Sequence, residues 1–209
     1  KIADVVIDDS LFVDPPPPSG QNPYEAGVSA TSVNSNAYAI YVSPGKSGEA
    51  AIVSLTPGVP YALTNRVNTV RGRSESLQVV QNPPSGSRDP REQSADGSQQ
   101  FAQRISVTVQ GSIGADAAPV VFYQAVPNPV VYFGSLFAHY LRRAGVTITG
   151  TIRRGETPQE AKSLETIESE DLASITRTLN HSSSNFVASQ ILFALGQDSS
   201  GYFRRQQGL

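Results

Sequence analysis

The chain has 209 residues, with 16 Lys and Arg against 18 Asp and Glu, a formal charge of −2. This length fits one large domain or two small ones, and the near-neutral balance leaves no basic face for phosphate neutralisation, which excludes a nucleic-acid partner. Cysteine is absent and the only histidines are His139 and His181, so disulfides, thiolate chemistry and multi-histidine metal sites are ruled out, and no cofactor is implied.

The first two thirds of the chain read as β. Val5–Ile7 is a short strand closed by Asp8-Asp9-Ser10. Pro15 to Pro18 must be extended and cannot enter a central ladder. Asn36 to Val42 alternates, with Tyr38, Ile40 and Val42 on one side. Ala50 to Leu55 follows across Ser43-Pro44-Gly45-Lys46-Ser47-Gly48, and strand, Pro-Gly turn, strand predicts a hairpin. Leu77 to Val80, Ile105 to Val109 and Val120 to Val126 are further apolar strands. Asn82 to Gln100 is a long polar loop with nothing apolar to anchor it, and such loops are functional or mobile. No stretch approaches the length that spans a bilayer. The opening Lys1-Ile2-Ala3-Asp4 carries no apolar signal segment, and Met is absent even at position 1. The expectation is a processed product or a piece of something longer.

The pattern changes near residue 126. Asn128-Pro129 is an N-cap followed by proline at the first helical position. Phe133, Leu136, Phe137, Tyr140 and Leu141 then recur at helical spacing as one expected buried face. Arg142 and Arg143 suit the negative end of the helix dipole and Gly145 stops it. Val146 to Ile152 reads as a strand. Ser169-Glu170-Asp171 starts a helix carrying Leu172, Ile175 and Leu179. A last helix runs from about Asn185 to Leu195, apolar at Val187, Ile191 and Leu195, and stops at Gly196.

Few motifs carry chemistry. Ser43-x-x-Lys46 has the spacing of a serine nucleophile and its lysine base, which belongs on one helical turn; Pro44 and Gly45 place it in the hairpin turn instead. Gly45-Lys46-Ser47 mimics the end of a phosphate-binding loop, but position 40 is isoleucine where glycine is required. No Gly-x-Ser-x-Gly elbow occurs. His139 falls off the apolar stripe of its helix and reads as a solvated surface histidine. Asp4, Asp8 and Asp9 cluster at a strand end, where a capped turn is favoured over a cation site. Ser-x-Asn occurs twice, at Ser32-Val33-Asn34 before a strand and at Ser183-Ser184-Asn185 between two apolar-faced helices. A hydroxyl in a tight inter-helix turn can relay a proton, and a carboxamide there can both donate to and accept from a substrate amide. The competing reading is plain capping of the last helix by Ser183 or Ser184.

The order of these blocks adds information. Pro127-Asn128-Pro129, Leu141-Arg142-Arg143-Ala144-Gly145-Val146, Thr149-Gly150-Thr151, Ile167-Glu168-Ser169 and Ser183-Ser184-Asn185-Phe186-Val187-Ala188 follow one another. They are preceded by Val5-Val6-Ile7-Asp8-Asp9-Ser10, Tyr41-Val42-Ser43-Pro44-Gly45 and Asn65-Arg66-Val67-Asn68-Thr69. This series resembles the D-alanyl-D-alanine carboxypeptidase/endopeptidase family, the class C low-molecular-mass penicillin-binding proteins. The resemblance implies an α+β multidomain fold. Residues 1–126 correspond to a β-rich inserted domain region, and residues 127–209 to part of a transpeptidase/β-lactamase-like α/β domain. It implies an acyl-serine hydrolase acting on peptidoglycan stem peptides, inhibited by β-lactams and located in the periplasm or at the cell wall.

Within that resemblance, Ser183 and Asn185 match the middle catalytic motif and should point into a shared cleft. The resemblance makes Ser183 a proton relay and has Asn185 hold the substrate amide and the lysine. The family's Ser-x-x-Lys helix lies ahead of the inserted domains, and no Lys-Thr-Gly follows Asn185, so these 209 residues alone are expected to be inactive. His181 and Ser182 stand where family members usually carry a basic residue. The alternative function is a non-catalytic peptidoglycan- or partner-binding module derived from the family. An incomplete catalytic sheet would expose strand edges and apolar faces, to be covered by the remaining parts of the catalytic domain or by a homo-oligomer.

Overall fold

The computed structural model describes residues 1–82 and 105–196. Its β region starts from the predicted hairpin: β1 (Val5–Ile7) precedes β2 (Ala37–Ser43), which turns back into β3 (Ile52–Leu55). Ile40 pairs with Leu55 and Val42 with Val53, antiparallel. The turn between them is held by Thr69, whose hydroxyl accepts from Gly45 N at 2.9 Å and whose carbonyl accepts from Gly48 N at 2.8 Å.

Thr69 lies on β4 (Ala62–Val70), which is followed by β5 (Glu75–Asn82), β6 (Ser106–Gly114) and β7 (Val120–Ala125). β4 has no counterpart in the sequence reading. Its apolar residues, Ala62, Leu63, Val67 and Val70, do not alternate along the sequence, so it lacks the pattern that marks a half-buried strand; long-range pairing with β6 makes it a strand. Two three-stranded sheets result, ordered β3-β2-β7 and β4-β6-β5. The central β6 is parallel to β4 and antiparallel to β5. Main-chain bonds from Ala51 N to Val67 O and from Thr69 N to Glu49 O join the two sheets. Their shared core holds Ile40, Val42, Val107, Val109 and Ile113, and burying each is worth about 1.5–3 kcal/mol. Tyr38 donates to Gln81 Oε1 at 2.5 Å within it. The segment from Pro83 to Gln100, expected to be a long loop, lies outside the described residues.

Helix α1 (Pro129–Arg143) starts as anticipated, with the Asn128 side chain accepting from Val131 N at 3.2 Å. Its buried face differs. Val130, Tyr132, Leu136 and Ala138 are buried, whereas Phe137 and Tyr140 are 45% and 54% exposed. The helix is apolar on two sides, and β-sheet contacts select the side with Tyr132, whose hydroxyl donates to Ala37 O at 3.0 Å. His139 is also not a solvated surface residue. Its Nε2 is buried without a hydrogen-bond partner among the described residues, because the Gly58 turn sits over it, where a Cβ would lie 2.9 Å from His139 Cβ.

The predicted strand from 146 to 152 is displaced. Ile148 only bridges Ile2, and the strand proper is β8 (Ile152–Arg154), parallel to β1. Gly150 lies directly against Asp4, where a Cβ would collide with the carboxylate. β1 therefore joins a sheet with residues from beyond position 126, and α1 lies against both. Helices α2 (Leu172–Ser182) and α3 (Asn185–Leu195) complete the described chain. Their expected apolar stripes are poorly covered: Leu172 is 60% and Leu195 67% exposed, and the buried residue of α3 is Phe193. Among the described residues no helix is long and apolar enough to cross a membrane.

Candidate active site

Local rules account for the helical hairpin that carries Ser183 and Asn185. Asp171 caps α2, accepting from Ser174 N at 2.8 Å. Ser182, in the last turn, donates back to Thr178 O at 2.8 Å, a bond that competes with helix continuation. Ser183 then adopts the left-handed conformation (φ 50°, ψ 41°), which costs a non-glycine residue about 1–2 kcal/mol. Ser184 caps α3 by accepting from Val187 N at 3.3 Å. Capping is thus the work of Ser184, and it leaves Ser183 free of that task.

Both Ser183 and Asn185 are exposed, as is His181. Neither the Ser183 hydroxyl nor the Asn185 carboxamide hydrogen-bonds another described residue. The two flank one capped residue, so a donor-acceptor carboxamide and a hydroxyl are presented from one rigid turn. The surface they share is open. It does not contribute to the concavity of about 270 Å³ bounded by Phe12, Val28, Pro129 and Arg154. The cleft expected around the pair is therefore not built by the described residues. Ser183 ends α2 in the left-handed conformation common at helix C-termini, with its hydroxyl left unbonded to other described residues.

The other candidates have structural occupations. Ser43 ends β2 and Lys46 lies in the hairpin turn, so the Ser-x-x-Lys spacing is not helical. In the first Ser-x-Asn, Ser32 Oγ donates to Ser29 O and accepts from Asn36 Nδ2, while Asn34 donates to the Tyr132 hydroxyl at 3.2 Å. Hydrogen bonding thus separates the two Ser-x-Asn sites: one is consumed by the fold and the other is not.

Asp4, Asp8 and Asp9 each bind chain rather than forming a cation cage. Asp4 accepts from Thr151 N at 2.8 Å and faces Arg153 at 3.6 Å. Asp9 is buried and takes a bidentate bond from Arg154, at 2.6 and 3.0 Å. Asp8 accepts from Ser10 N, Ser10 Oγ and Thr157 N. Partial burial opposes ionisation of Asp8, but bonds from Ser10 and Thr157 outweigh it and bring its pKa down to about 2. Because the folded value lies below the unfolded one, the stabilisation is complete above about pH 4 and is lost as pH falls towards 2. We expect Asp8→Asn to cost about 1–2 kcal/mol at neutral pH, after allowance for solvent screening, with the difference from wild type vanishing near pH 2 in denaturant titrations.

The fold and the turn geometry can be set beside known proteins. A model of the D-Ala-D-Ala carboxypeptidase 3 (S13) family matches residues 1–208. The chain belongs to that family. A curated relative, the D-alanyl-D-alanine carboxypeptidase of Actinomadura sp. (strain R39), is 29% identical over 188 residues, covering 85% of this chain and 32% of the relative. Penicillin binding protein 4 from Haemophilus influenzae has the same fold, with a TM-score of 0.65 at 18% identity, over 99% of this chain and 44% of that one. Its complex with a novel β-lactam matches with a TM-score of 0.56 at 17% identity, over 86% of this chain and 38% of that one. The S13 chain described here thus spans about a third of the curated relative's length. The mixed α+β architecture, β-rich with a helical section, agrees with the fold expected from the resemblance.

Sequence reasoning missed the contacts that hold α3. Phe12 and Phe193 stack with ring centroids 5.0 Å apart, and Gln190 donates to Ser29 O at 3.2 Å. Both span more than 150 residues of chain, and no local pattern announces them.

Proposed function

We propose that these residues form a segment of a serine-type D-alanyl-D-alanine carboxypeptidase/endopeptidase that acts outside the cytoplasm on peptidoglycan stem peptides. Residues 127–209 are a part of its catalytic domain, and the inserted β-rich region lies within residues 1–126, after β1, which pairs with β8 of the catalytic part. The observation that carries this reading is the S13 family match along residues 1–208, collinear with a Ser-x-Asn turn whose functional side chains the fold leaves unused. The nucleophilic serine and its lysine base come from outside the 209 residues. Ser183 relays a proton among lysine, nucleophile and leaving amine. Asn185 holds the substrate amide, accepting from its N–H through Oδ1 and donating through Nδ2. Elements outside this segment close the open surface around the turn into a cleft. β-Lactams bind by acylating the same serine.

Such groups act as a unit, and helpers without a nucleophile leave only residual catalysis. A fluorescent penicillin is therefore expected to label the full-length enzyme and to leave the isolated 209-residue chain unlabelled. Covalent labelling of the isolated chain, seen as a mass increment on one of its serines, would place the nucleophile inside this segment and overturn the assignment.

A further inference from the structure

The helix that presents Asn185 is attached to the β region at two points. Phe193 is 1% exposed and stacks on Phe12 at an interplanar angle of 21°. One turn earlier, Gln190 Nε2 donates to Ser29 O at 3.2 Å. α2 offers no comparable anchor, since none of its residues is buried.

The receiving loop is stiff. The Ser29 carbonyl also accepts from Ser32 Oγ at 2.6 Å, and Ser29 N donates to Ser32 Oγ at 3.2 Å. Ser32 Oγ in turn accepts from Asn36 Nδ2 at 2.9 Å. Asn36 is fully buried, bonds Gly27 O at 2.8 Å, and immediately precedes β2. Phe12 is followed by the Pro15–Pro18 run, which restricts the chain on that side. A continuous set of hydrogen bonds therefore runs from the first strand of the main hairpin through Ser29 to α3, beside one ring stack.

We propose that Phe12 and Gln190 are positioning residues for the reaction: they fix the axis and depth of α3, and through it the Asn185 carboxamide. Both side chains are spent within the fold, Phe12 on Phe193 and Gln190 on Ser29. Their effect on catalysis passes through the helix. This makes the β-rich region part of the catalytic apparatus rather than an appendage, because Phe12 and Ser29 belong to it while Phe193 and Gln190 belong to the helix. The inference rests on the reading in which Ser183 and Asn185 are the helper groups.

The experiment has two arms. In the full-length protein, Phe12→Ala and Gln190→Ala are expected to speed hydrogen exchange of the α3 amides by tenfold or more, leaving β2 amides unchanged. In the full-length enzyme the same variants are expected to lower kcat by about tenfold while KM stays within about twofold, since small misplacements act on the transition state. Phe12→Tyr, which keeps the ring, should restore both readouts. Gln190→Ala removes one hydrogen bond from a half-buried side chain, so it carries the test if Phe12→Ala does not fold. Unchanged kcat would overturn the proposal, and so would exchange that rises uniformly through α3 and β2. If instead Asn185→Ala itself leaves the enzyme active, the helper reading has failed, and the α3 exchange data still decide whether the anchor exists.

Discussion

Asn185→Ala in the full-length enzyme is expected to lower kcat/KM for a D-Ala-D-Ala peptide by about 10²–10³-fold, the usual cost of removing one preorganised amide donor. Ser183→Ala should fall in the same range, and the double variant should lose less than the product of the two single losses, because proton relay and substrate holding act as one unit around the same nucleophile. Stability gives the contrast. Both side chains are exposed and bond nothing in the fold, so either substitution should change the unfolding free energy by less than about 0.5 kcal/mol. Ser183→Gly is the sharper probe. It relieves the left-handed backbone at φ 50° and should raise stability by up to about 1 kcal/mol, yet lose activity as fully as the alanine variant. A gain of stability with a loss of turnover is what a strained functional serine produces, whereas a capping serine loses stability on substitution. Steady-state kinetics and thermal unfolding on the same preparations check both halves. Retained activity in Asn185→Ala would remove the motif from the mechanism.

The largest structural effect should come from Arg154→Ala. Asp9 is 6% exposed, and both its oxygens are held by the Arg154 guanidinium. Removing one partner leaves a buried carboxylate uncompensated, which costs about 3–5 kcal/mol in a fully buried pair. The Arg154 side chain is 42% exposed, so water can partly replace it, and about 2–3 kcal/mol is expected. At this chain length that lowers Tm by roughly 5–10 °C. Asp9→Asn should cost less than Arg154→Ala, because an amide can stay buried without a counter-charge and the half-exposed arginine returns to solvent. The pair also closes the β1–β8 ladder, in which Ile7 faces Arg154. Fraying should therefore appear first in the amides of Val5–Ile7, by hydrogen exchange.

Elements governed by local physics were readable without the structure. Asn128-Pro129 starts α1, Asp171 caps α2, Gly196 stops α3, and the Pro-Gly turn after Val42 makes a hairpin. Each depends on residues within a few positions of one another. The faces of those elements were not readable. Leu136 of the expected stripe is buried, but Phe137 and Tyr140 are exposed and the β-sheet takes Tyr132 in their place. Two apolar faces on one helix carry no sign of which neighbour will arrive. β4 was invisible for the related reason that its strand character comes from a partner more than 40 residues away.

By itself the sequence determined the order of the elements other than β4, their caps and turns, the membership implied by the run of collinear blocks, and the two places where Ser-x-Asn stands. The resemblance had already singled out Ser183 and Asn185, and tertiary structure added how differently the two places are bonded. It ties Ser32 and Asn34 into loop and tyrosine hydrogen bonds while leaving the Ser183 and Asn185 side chains without bonds to other described residues. It alone set Asp9 against Arg154 and Phe12 against Phe193, across 145 and 181 positions. Capping and turn formation are settled by steric and hydrogen-bonding preferences a few residues long, whereas burial, ion pairing and ring stacking depend on which distant segments the folded chain brings within contact range.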